Sequence, residues 1–124
     1  MATQQTNHAP KTGKQITTID GRLVDSDSEA WRLCCEAVYV LKLPKDNRKA
    51  FFEAITKKRG ESGVKYLQAE IDRVEPSFIL ALGSKEQRRA YLDGVERERG
   101  WSTRRSLEAK VIETWEKRNA ASVA

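Results

Sequence analysis

Residues 47–60, NRKAFFEAITKKRG, align with residues 87–100, QRRAYLDGVERERG, without a gap and at an offset of 40. Arg48/Arg88, Ala50/Ala90, Arg59/Arg99 and Gly60/Gly100 are identical, and Phe51/Tyr91, Glu53/Asp93, Ile55/Val95 and Lys57/Arg97 are conservative pairs. The match runs on through Leu67/Leu107, Ala69/Ala109 and Ile71/Val111. Upstream, after a one-residue gap, Leu41-Lys42-Leu43-Pro44 falls on Leu80-Ala81-Leu82-Gly83. Each unit therefore reads as an apolar helix end, a breaker, an Arg-x-x-aromatic helix, Arg-Gly and a second helix. A helical period near 40 residues is the length scale of helical repeat arrays, which normally need three or more copies. Two copies are expected to close on each other as a compact bundle. Shared amphipathic patterning can imitate such a match, so duplication and mere likeness of pattern both stay open.

Working outward, apolar residues recur at helical spacing elsewhere too. Asp27 or Ser28 is placed to cap a first helix, whose Trp31, Cys34, Val38 and Leu41 form one stripe ending near Leu43. Pro44 stops it or opens the next, and Gly60 suits a left-handed cap. Val64, Leu67, Ile71 and Val74 mark a third helix, limited by Pro76. Phe78 to Leu82 is a short apolar piece, and Ser84 with Gln87 has the form of a capping box. After Gly100, Ser102 or Thr103 caps a last helix carrying Leu107, Val111, Thr114, Trp115 and Arg118 on one side. Only residues 15 to 24 hint at a strand.

The expected fold class is all-α: a compact helical bundle of two related helical repeat units, about five to six helices, behind a flexible N-terminal arm. The arm covers 1–19, where polar residues offer too little apolar surface to offset the entropy of ordering. A single helical domain spans 20–118, with repeat units at about 37–74 and 78–118. Residues 119–124 are expected to fray.

Composition narrows the function. The 124 residues are 39% hydrophobic and 33% charged, with 23 Lys and Arg against 18 Asp and Glu, or +5. No stretch approaches the roughly 20 apolar residues that cross a bilayer, and residues 1–15 show no apolar core of a secretory signal. Cys34 and Cys35 are adjacent and poorly placed for an ordinary disulfide, which fits a reducing cytoplasm. Cys34 reads as a small buried hydrophobe. With His8 as the only histidine, and on the arm, neither a zinc site nor a histidine-based nucleophile is expected. The seven glycines are scattered, so no phosphate-cradling loop is present. The expectation is no enzyme, no cofactor and no metal.

Binding remains. Trp and Arg are enriched among interaction hot spots. Trp101 sits at a helix junction among Arg97, Arg99, Arg104 and Arg105, whereas Trp31 and Trp115 lie on stripes and read as core. The binding candidates are Trp101, Arg104, Arg105 and Arg97 as one patch and Lys57 and Lys58 as a second. The expected partner is another protein or a ribonucleoprotein complex. The alternative is a nucleic-acid-binding accessory protein, with Arg104 and Arg105 in a first helical turn touching phosphate. Arg48 and Arg88, three before an aromatic, read as stems packed on Phe51 and Tyr91. Arg59-Gly60 and Arg99-Gly100 read as cationic last turns followed by caps.

Residues 20–32, DGRLVDSDSEAWR, with Cys35-Glu36-Ala37 and Leu41-Lys42-Leu43-Pro44, resemble a family of short phage and prophage proteins. That family shows D-G-R-x-V-D-S-x-S-E-x-W-R, C-E-A and L-x-L-P, then an Arg-rich helix ending in R-G. Residues 20 to about 71 carry the likeness. Ala30 stands where an acidic residue is frequent, and Cys34 where a polar one is usual. The resemblance implies a setting rather than a chemistry. Small phage proteins of this kind often act stoichiometrically on host machinery, and inhibitors of CRISPR defence are one such group. The resemblance thus makes a host protein or ribonucleoprotein complex the expected partner and the host cell's cytoplasm the expected location.

Overall fold

The computed structural model describes residues 14–123, with side chains to residue 120. In chain order these form β1 (Gln15–Thr17), β2 (Leu23–Asp25), α1 (Glu29–Lys42), α2 (Lys45–Leu80), α3 (Lys85–Arg99) and α4 (Trp101–Val123). The chain divides into two compact units, residues 1–71 and 72–124, at a boundary within α2.

The first unit opens on a hairpin. β1 and β2 pair antiparallel, with Gln15, Ile16 and Thr17 opposite Asp25, Val24 and Leu23. Gly21 turns the chain at φ 93°, a backbone angle that side chains other than glycine's resist. Thr18 closes the turn: its N–H donates to the Arg22 carbonyl at 2.8 Å, and its hydroxyl donates to Asp20 at 2.6 Å. The mainly helical expectation therefore acquires a small two-stranded sheet. Residues 14–19, assigned to the flexible arm, contain β1 and the buried Thr18. Strands of three residues are too short for alternation to announce them. The rest of the expected arm, residues 1–13, lies outside the described residues.

Ser28 caps α1 by accepting the Trp31 N–H at 3.1 Å, as its position before the apolar stripe implied. Cys34, Ala37, Val40 and Leu41 are buried along it. In α2, Ile55, Leu67 and Ile71 are buried. Four helices are traced where about five to six were expected, but α2 holds two helical segments. They meet at a kink at Gly60, whose φ of 74° and ψ of −174° are not helical, so the second expected helix does end there and the third follows. Pro76 does not end it. Losing one helical hydrogen bond at proline costs about 3 kcal/mol, and burial of Ser77, Phe78 and Ile79 directly after it offsets that cost.

The second unit packs Ile79, Val95 and Leu107 together, with Leu82, Tyr91, Leu92 and Val111 against them. Ser84 caps α3 through the Gln87 N–H at 3.1 Å. Gly100, at φ 96°, ends α3 by donating its N–H to the Glu96 carbonyl. The same residue also opens α4, whose Arg104 N–H donates to the Gly100 carbonyl at 3.2 Å. Helix α4 thus starts at Trp101, ahead of the Ser102 or Thr103 cap expected. It also continues through residues 119–123, read as fraying.

Candidate protein-binding surface

In helix α4, Leu107 is buried and Val111 partly so, both on the face turned to the second unit's core. The face beside it carries Trp101, Arg105, Glu108, Ile112 and Trp115, spaced four, three, four and three. At 3.6 residues per turn that spacing keeps all five on one stripe roughly 20 Å long. Trp101 is 59% exposed, Ile112 57% and Trp115 54%. The Arg105 guanidinium lies over the Trp101 ring, 4.9 Å from its centroid. This stacking holds the indole flat while keeping the charge in water.

The candidate residues fare differently. Trp101 and Arg105 form one exposed pair, as their junction position suggested. Arg97 is exposed on α3. Arg104 is spoken for: its side chain donates to Asp93 at 2.7 Å, Glu96 at 3.0 Å and Glu108 at 3.4 Å. Asp93, with help from Glu96 and Glu108, pushes this guanidinium above its ordinary range. Lys57 and Lys58 are exposed in the first unit. Trp115, read as core, is exposed. The helix turns its Leu107–Val111 side inward and leaves Trp115 on the border of the outer stripe. Trp31 is half-buried and lines an apolar groove with Ile19, Val38 and Tyr39. Ile112 was not singled out at all. Its signal was present, since 101, 105, 108, 112 and 115 keep a heptad-like rhythm.

Each unit fastens its own helices with like contacts. In the first, both Arg59 nitrogens donate to the Glu36 carboxylate at 2.8 Å. In the second, Arg99 donates to both Glu75 oxygens, at 3.2 and 2.8 Å. Tyr39 meets Phe51 with ring centroids 5.6 Å apart, and Phe78 meets Tyr91 at 5.8 Å. Arg48 donates to the Leu43 carbonyl at 3.3 Å, and Arg88 to the Leu82 carbonyl at 3.4 Å. These two arginines thus satisfy carbonyls at the end of the preceding helix, a role beyond the packed stem expected of them.

Two carboxylates, Glu70 and Glu75, are buried, and each is held by an arginine. Glu75 accepts from the Tyr91 hydroxyl as well as from Arg99. Burial works to lower the Arg99 guanidinium's pKa, but Glu75 reverses this and leaves it raised. Glu70 accepts from Arg22, whose Nε also donates to Asp20 at 2.9 Å. Each of the two carboxylates thus lies against a guanidinium. Among the described residues no group of three or more His, Cys, Asp or Glu could hold a metal ion. No described helix is long and apolar enough to cross a membrane.

The class these features define is a small, mainly helical protein with a two-stranded hairpin and exposed Trp101, Ile112 and Trp115 along α4. Residues 24–77 match the model of a family of unknown function (DUF7696). That likeness takes in β2, α1 and most of α2, including the Arg59–Glu36 pair, and stops short of α4. Comparison with curated proteins and with solved structures returns no match.

Proposed function

We propose that this protein works without catalysis, by binding another protein through the outer face of α4. The observation that carries the reading is the row of Trp101, Ile112 and Trp115, each more than half exposed, on one stripe of one helix. A single exposed apolar residue is ordinary, whereas an aligned set with an arginine stacked on one member fits a contact surface. The protein is further read as a tandem of two related helical units. Recurrence of the Arg–Glu clasp, the aromatic pair and the arginine on a helix-end carbonyl supports that, at the offsets of 39 and 40 seen in the sequence.

The resemblance to short phage and prophage proteins makes a host complex the target. A stoichiometric inhibitor of a host defence complex, of the kind that blocks CRISPR systems, is the use it suggests. The test is affinity capture with the tagged full chain from defence-active host cells, beside an Ile112→Lys chain. Recovery of a host protein in stoichiometric amount by the first and not the second supports the reading. Equal recovery by both, or none by either, overturns it.

Nucleic-acid binding is the second reading, and the exposure of Lys57, Lys58 and Arg97 favours it. With Arg104 held by three carboxylates, it rests on those residues and Arg105. Binding that weakens steeply with salt would support it.

A further inference from the structure

The α4 stripe is self-complementary, and its order of residues specifies how. Reading from the N-terminus it runs Trp101, Arg105, Glu108, Ile112, Trp115: an apolar residue, a cation, an anion and two apolar residues. We propose that this stripe pairs two copies of the chain, α4 against α4, antiparallel. This rests on the reading of the stripe as a protein-binding surface and names its partner.

The register follows from charge and shape. With the helices antiparallel, Trp101 faces Ile112 of the partner subunit while Arg105 faces Glu108 of the partner subunit. Symmetry repeats both pairings on the other side of the axis, as an isologous contact requires. Trp115 falls one layer further out, beside the partner's Trp101. Spacings of four and three residues let such layers meet as knobs in holes. A parallel arrangement would set Arg105 on Arg105 and Glu108 on Glu108, which repel. The two central charged layers fix the register, as polar residues within a helix–helix seam commonly do.

Two observations within the second unit fit this pairing. Arg105 already stands over the Trp101 ring, and so points along the stripe. Glu108 lies at 3.4 Å from Arg104, the longest of that arginine's three ion pairs. Its carboxylate has capacity for a second cation.

The experiment is sedimentation equilibrium on the full chain across a concentration series, with Arg105→Glu, Glu108→Arg and Ile112→Glu chains alongside. All three positions lie on the outer face, so circular dichroism is expected to show unchanged helix content. The wild-type chain is expected to dimerise, and each substitution to weaken the dimer about tenfold or more. An equimolar mixture of Arg105→Glu and Glu108→Arg chains is expected to associate again, because each new charge then meets its opposite on the other chain. Recovery in the mixture is a result that general destabilisation cannot produce.

A wild-type chain that stays monomeric, a dimer indifferent to all three substitutions, or a mixture that fails to recover overturns the proposal. Host-protein capture lost on Ile112→Lys by a chain that is monomeric throughout overturns the pairing alone. The protein-binding reading then stands, with the host protein as the occupant of the stripe.

Discussion

Arg99 clasps Glu75 with both terminal nitrogens across 24 residues of chain, and the Glu75 side chain that receives them is 5% exposed. Its counterpart Arg59–Glu36 has the same two-pronged form but sits nearer water, with the arginine side chain 45% exposed. Removing one partner of a buried pair leaves an uncompensated charge and costs several kcal/mol, whereas exposed pairs contribute little. Arg99→Met should therefore lower stability by about 3 kcal/mol, and Arg59→Met by less than about 1 kcal/mol. Urea denaturation of the two variants checks the difference, and equal losses would contradict it.

The hairpin turn is predicted to weaken in acid. Burial raises the Asp20 carboxyl's pKa, but hydrogen bonds from Arg22 and Thr18 outweigh it and leave the group below its ordinary 3.8. A depressed carboxylate contributes stability that is fully present above its unfolded value and is lost as pH falls through the folded one. Asp20→Asn should thus destabilise the protein at neutral pH and bring a shallower loss below about pH 4. Thermal unfolding of both chains between pH 7 and pH 3 measures this. Parallel curves would remove Asp20 from the account.

The adjacent cysteines are expected to react very differently. Cys34 is 2% exposed and its thiol is pushed up by burial, while Cys35 is exposed. The thiolate is the reactive form. Iodoacetamide on the folded chain should modify Cys35 alone, and both residues in urea. Mass spectrometry of the peptides reads the outcome, and labelling of Cys34 without denaturant would count against its burial.

Gly100→Ala is expected to cost about 1–2 kcal/mol. No heavy atom lies within 4 Å of an added Cβ, so the penalty arises from the φ of 96° rather than from crowding. Ala90→Gly, within α3, serves as a comparison in which helix propensity alone costs about 1 kcal/mol. A Gly100→Ala chain as stable as the wild type would mean that the turn between α3 and α4 can be made another way.

Much of the helical framework was legible in local pattern. Ser28 and Ser84 cap where their positions before apolar runs implied, and Gly60 and Gly100 take the left-handed angles expected of them. Ile55, Val95, Leu67 and Leu107 are buried as their shared stripe suggested. The hairpin was not legible, since three-residue strands carry no period. The passage of the helix through Pro76 was not legible either, because a proline that commonly stops a helix is here followed by buried residues. Of the site, Trp101 and Arg105 could be read from their junction. Arg104 could not be set apart from them, because the carboxylates that hold it come from α3 as well as α4.

By itself the amino-acid order determined where helices begin and which side of each is oily, because caps and periodicity act over three or four residues. It also placed the two matched blocks at their offset of 40. Only the tertiary structure decided which arginine meets which glutamate, and that Trp115 looks outward while Leu107 looks in. Those outcomes depend on which helix arrives opposite which. An ion pair spanning 23 or 24 residues leaves no trace in the spacing of its neighbours.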